Sequence, residues 1–134
     1  MKKYLLLILL FSGTVFGEVI NLECDRTRIY TITTLPNSLT NKVYINNKDL
    51  DRVDRDLGWV YKLQNFKLSN NLIEFEESMK STTPDANHFT ITNHKFDRIS
   101  GVLNIRSVTT FFDTGKSSTN YYGPINCVSV RPKF

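Results

Sequence analysis

The sequence predicts an all-β domain, an antiparallel barrel or sandwich of about eight strands. Three observations predict it. Apolar and polar residues alternate along most of the chain after residue 17, the period of a half-buried strand. Turn-forming groups such as Asn70-Asn71, Ser100-Gly101 and Asp113-Thr114-Gly115 punctuate that alternation at short intervals. Two cysteines, Cys24 and Cys127, stand near opposite ends, where one bond would tie the first strand to the last.

Residues 1–17 are set apart from the domain. Lys2 and Lys3 precede an uncharged apolar run, Tyr4 to Phe11. Ser12 and Gly13 break the run, and Val15-Phe16-Gly17 offers small residues for cleavage. That order of features is the pattern of a secretory signal peptide. The run is far short of the ~20 apolar residues that a spanning helix needs. One domain is then expected over residues 18–134. Export places the cysteines in an oxidising compartment, where an even count reads as a Cys24–Cys127 bridge.

Cleavage changes the charge. It removes two of the 17 basic residues and none of the 13 acidic ones, leaving a net charge of +2. Lys and Arg are scattered, with no run of three, so no basic face for nucleic acid is expected. The chain has no Asn-x-Ser/Thr acceptor among its many Asn residues, which fits a bacterial periplasm.

The strands follow in order. Ile20, Leu22 and Cys24 alternate with polar residues. Arg28 to Leu35 is β-branched and ends at Pro36-Asn37. Val43 and Ile45 flank Tyr44 before a turn at Asn46-Asn47. Residues 48–57 stay open between a short helix and a hairpin arm with a solvated loop. Leu50, Val53 and Leu57 have helical spacing, an Asn precedes them and Gly58 follows. Trp59, Tyr61 and Leu63 share one parity and Phe66 and Leu68 the other, so a bulge is expected near Gln64-Asn65. Leu72 to Glu77 is a strand, and residues 78–87 a polar loop. Phe89 to Ile99 is a strand with an expected irregularity at Asn93-His94. Strands over 103–112 and 119–130 complete the domain, and Arg131-Pro132 stops the last one.

Several of these segments carry a resemblance. They are Leu22-Glu23-Cys24, Asn65-Phe66-Lys67-Leu68-Ser69, Ile73-Glu74-Phe75, Asp97-Arg98-Ile99-Ser100-Gly101-Val102-Leu103 and Cys127. In this layout the chain resembles small exported bacterial proteins of unknown function. These have a signal peptide, a cysteine near each end of the mature chain and an Asn/Asp-Arg-x-Thr/Ser-Gly-x-Leu hairpin. The resemblance implies export and a β fold, and it assigns no functional residue.

The residues that could carry chemistry do not converge in sequence. His88 and His94 are six apart, ~20 Å on one extended strand, too far to share a metal ion unless the chain turns at Asn93-His94. They are expected to be partly exposed, and no motif pairs either with a nucleophile. Asp49, Asp51, Asp54 and Asp56 suggest calcium, but Val53 and Asp54 occupy the template's fifth and sixth positions, where a ligand and Gly belong. A carboxylate pair for glycoside hydrolysis could be drawn from Glu74, Glu76 and Glu77; Glu74 and Glu76 would lie ~7 Å apart on one strand face, but Ile73 and Phe75 take the apolar side and leave these acids facing water. Trp59, Tyr61, Tyr121 and Tyr122 lie in strands near Gly residues and are the candidate ligand-binding aromatics, set against a plain core role. A terminal Phe134 after alternating apolar residues resembles the last strand of an outer-membrane barrel, but Pro132 breaks that pattern.

The expected function is a non-enzymatic exported binding module of the cell envelope or secreted space. It would take a small ligand in the barrel mouth or a protein through its loops. No catalytic residue, metal or cofactor is assigned. The alternatives are an inhibitor or effector that presents residues 78–87 to a target enzyme, and a hydrolase using His88 or His94.

Overall fold

The structure is a computed structural model and describes residues 18–34, 41–83 and 87–130. The expected signal peptide over 1–17, the expected turn at Pro36-Asn37 and the expected strand stop at Arg131-Pro132 lie outside the described residues.

Ten strands follow one another: β1 (Val19–Cys24), β2 (Arg28–Thr33), β3 (Lys42–Ile45), β4 (Lys48–Asp49), β5 (Arg52–Asp54), β6 (Trp59–Leu68), β7 (Leu72–Ser81), β8 (His88–Asp97), β9 (Val102–Phe111) and β10 (Ser117–Ser129). They form one antiparallel sheet in the order β4-β3-β2-β1-β10-β9-β8-β7-β6-β5. Two meanders, β1–β4 and β5–β10, therefore meet at a single seam between β1 and β10. That seam is short, with Leu22 opposite Ser129, Glu23 opposite Val128 and Cys24 opposite Cys127. Its last pair is the disulfide, with Cα atoms 4.2 Å apart. At the other end of the order, β4 and β5 are joined in sequence by Leu50-Asp51, so the sheet nearly closes on itself.

Residues 48–57 are not a helix: they hold the short strands β4 and β5 with a bend at Leu50-Asp51 between them and a turn from Arg55, the hairpin-and-loop alternative. Leu50 is buried, whereas Val53 and Leu57 are 58% and 68% exposed, so the helical spacing buries no common face. The aspartates act locally instead. Asp49 Oδ1 accepts from the Asp51 N–H, and Asp51 Oδ1 accepts from the Leu63 N–H, which stitches the closure to β6. The 78–87 loop is shorter than the sequence suggested, because β7 continues to Ser81. The irregularity expected at Asn93-His94 is also missing: β8 pairs continuously with β7 and β9 through that point. The bulge near Gln64-Asn65 is present, with a register shift between Gln64 and Lys67 and Asn65 at φ 52°.

The buried core gathers Ile20, Leu22, Tyr30, Ile32, Val43, Leu50, Ile73, Phe75, Phe96, Leu103, Ile105 and the disulfide. These residues come from both meanders at the end where β1–β4 cover the long strands. Towards the tips of β6–β9 burial fades, and the inward positions become polar and aromatic. Among the described residues no helix is long and apolar enough to cross a membrane.

Candidate functional site

Because side chains alternate across a strand, the pairing register assigns the inward residues as successive rungs. Above the apolar rung of Ile73, Phe96 and Leu103, the floor of the mouth is the rung of Phe75, His94, Ile105 and Tyr122. Above it lie Leu63, Glu77, Thr92, Ser107 and Asn120. The next holds Arg52, Tyr61, Met79, Thr90, Thr109 and Ser118. Trp59, His88 and Phe111 stand nearest the opening, where the Trp59 and His88 rings are 5.5 Å apart and those of His88 and Phe111 5.8 Å.

The floor of this mouth is a polar contact inside the core. The Tyr30 hydroxyl and His94 Nδ1 share a hydrogen bond at 3.1 Å. The His94 ring stacks on Phe75, with centroids 4.8 Å apart. His94 is 5% exposed, against the expectation of a partly exposed histidine. Its Nε2 is buried without a hydrogen-bond partner; Glu77 Oε2, at 3.7 Å, is too far to serve as one but close enough for attraction. Burial pushes the Tyr30 phenol well above its ordinary ionisation range, partly offset by Arg28 and reinforced by Glu77.

The wall carries both charge signs. Glu77 lines a groove of about 250 Å³ with Ile45, Asn46, Lys48, Leu50 and Arg52. Arg52 lies 3.7 Å over the Tyr61 ring and donates to the Asp49 carbonyl. Among the described residues neither Arg52 nor Lys48 has a carboxylate within 4 Å. The opposite wall is a ladder of hydroxyls, with Thr90 bonded to Thr109 at 2.9 Å and Thr92 to Ser107 at 3.2 Å.

Of the four aromatics singled out in the sequence, Trp59, Tyr61 and Tyr122 share the inward face. Tyr121 has the opposite parity, is 74% exposed and lines an outer groove with Asn93, Lys95 and Arg106. His88 and His94 sit on one straight strand, both facing inward. Glu74 and Glu76 lie on the outer face. Glu74 pairs with Lys67 at 3.7 Å, and Glu76 accepts from the Asn65 amide. The acid that enters the mouth is Glu77, named from sequence beside Glu74 and Glu76 but not placed on the inward face. The signal was present, because the alternation through Ile73 and Phe75 carries on to Glu77. Among the described residues no three His, Cys, Asp or Glu side chains are grouped to hold a metal ion.

No known protein family matches this chain, and neither does any curated protein or any solved structure.

Proposed function

We propose that the protein is a non-enzymatic exported binding module that takes a small polar ligand in the mouth of its barrel. One observation carries this reading: Glu77 and Arg52 line the same groove without pairing with each other. Glu77 lies beside His94 without a hydrogen bond to it, and Arg52 is held between Tyr61 and the Asp49 carbonyl. Two opposite charges lining one groove suit a molecule with an acceptor for the guanidinium and a donor for the carboxylate. The hold on Arg52 lowers the ordering cost of binding. Tyr61 and Trp59 supply apolar ring surface beside those polar groups, the usual mixture in ligand sites. The signal segment and the disulfide support the exported setting.

The test is native mass spectrometry of the protein purified from its own compartment, beside Arg52→Ala and Glu77→Gln. An added mass that stays with the folded wild type and is lost from both variants supports the groove. A bare wild type, or a mass retained equally by all three, ends this reading.

A further inference from the structure

The last strand is half covered. Its second part pairs with β1 from Cys127 to Ser129, and its first part, Ser117–Tyr122, pairs only with β9 among the described residues. All six residues of that first part are exposed. The ladder phase can be read from one bond. The Phe111 N–H donates to the Lys116 carbonyl, so Lys116 faces β9. Alternation then turns Ser118, Asn120 and Tyr122 towards β9, and the backbone N–H and C=O of Ser117, Thr119 and Tyr121 towards the open edge.

Natural edges are blunted by charge, proline or a bulge. Ser117–Tyr122 contains none of these. The bulge begins only after Tyr122, where Gly123 and Pro124 follow. The cations stand beside the edge, on both faces. On the inner face Arg28 lies 5.9 Å over the Tyr122 ring. On the outer face Arg106 is opposite Tyr121 and shares its groove with Lys95. Among the described residues none of these three has a carboxylate within 4 Å. Glu74, opposite Lys95, is engaged by Lys67, while Asp25 and Asp113 lie in the turns before β2 and β10.

We propose that the Ser117–Tyr122 edge of β10 is a docking edge for an extended acidic peptide. The peptide adds to the sheet as a further strand. The backbone groups of Ser117, Thr119 and Tyr121 supply its hydrogen bonds, and Arg28, Arg106 and Lys95 select its acidic side chains from either face. The seat lies beyond the β1–β2 turn, so the added strand continues the sheet where β1 leaves β10. This surface is separate from the Glu77–Arg52 groove.

The experiment uses the disulfide-intact chain and a fluorescein-labelled peptide of ~8 residues built from Thr-Glu-Glu repeats, which put acids on both faces of a strand. Its counterparts carry Lys in place of Glu, or N-methyl groups on every backbone amide of the acidic peptide, so that neither strand edge can donate. Anisotropy should report binding of the acidic peptide and none of the basic one. N-methylation should weaken binding about tenfold or more. Thr119→Pro should do the same, since it removes an outward N–H while leaving the β9 ladder intact. If that variant does not fold, the N-methylated peptide makes the same discrimination on the wild type. Equal binding of the methylated or the basic peptide overturns the proposal. So does a wild-type dimer, seen by sedimentation, that blocks the peptide, because the edge would then belong to a second copy. Arg52→Ala and Glu77→Gln should leave peptide binding unchanged, which keeps this result apart from the ligand reading.

Discussion

The Tyr30 hydroxyl meets His94 Nδ1 at 3.1 Å inside the core, joining β2 of one meander to β8 of the other across 64 residues of sequence. Both side chains are buried, and their shared bond is the polar floor on which the mouth rests. Removing one partner leaves the other without compensation, which costs more than the bond contributes.

Tyr30→Phe should therefore destabilise the domain by about 1–3 kcal/mol, measured by urea unfolding of the oxidised protein. It should also change the alkaline limit. Burial raises the folded phenol above its ordinary value of 10.0, so the unfolded chain releases this proton first as pH rises. The stability tied to Tyr30 is full below pH 10.0 and lost progressively above it. Wild-type stability should fall across that range, and Tyr30→Phe should flatten the fall. An unchanged alkaline slope would show that Tyr30 ionises freely in the folded state.

Cys24 and Cys127 form the end pair of the one seam between the two meanders among the described residues, a seam of three residue pairs. The bond closes a loop spanning 103 positions, worth about 4–5 kcal/mol in the chain-entropy account. The double variant Cys24→Ala, Cys127→Ala should lose roughly that amount in urea unfolding. Amide exchange should show β1–β4 losing protection before β6–β9. Uniform loss across both meanders would mean that they open as one unit.

Gly123 marks the point where β10 leaves the open edge and turns towards β1. Its φ is +120°, and an added Cβ would stand 2.8 Å from the Leu103 carbonyl oxygen. Gly115, in the β9–β10 turn, also has positive φ, +65°, but open space around it. Gly115→Ala should cost about 1–2 kcal/mol, the left-handed penalty alone. Gly123→Ala should cost distinctly more, because backbone must move as well. Thermal unfolding of the two variants gives the order, and a reversed order would contradict the close approach at Gly123.

Asp97 holds the β8–β9 turn by accepting from the Ile99 and Ser100 N–H groups at 2.8 and 3.1 Å. The Ser100 bond, then that of Ile99, holds its carboxyl below the ordinary value of 3.8. A depressed folded value means stability present above pH 3.8 and lost as pH falls through the folded value. Exchange protection of these two amides should drop in that acid range, and Asp97→Ala should remove the protection at neutral pH as well. Protection that persists in the alanine variant would assign the turn to Gly101 and the ladder alone.

The sequence by itself determined the class of fold and most of its punctuation. Alternation over Ile20-Leu22-Cys24 and Ile73-Phe75, the turns at Ser100-Gly101 and Asp113–Lys116, the bulge after Gln64 and the pairing of two cysteines are local or combinatorial facts, and residues a few positions apart carry them. What the tertiary structure decided depends on who sits opposite whom. Helical spacing at Leu50, Val53 and Leu57 lost to sheet closure, because only Leu50 found a buried partner surface. His94 became buried because β2, packing from the other meander, places Tyr30 against it, while Glu77 beside it stays partly exposed. Tyr121 parted from Tyr122 because one step along a strand changes the face. The open edge of β10 exists because β1 stops three pairs into its seam. Periodicity fixes which residues share a face, but the register and shear of a nearly closed sheet set which faces meet, and those arise from contacts that no local segment contains.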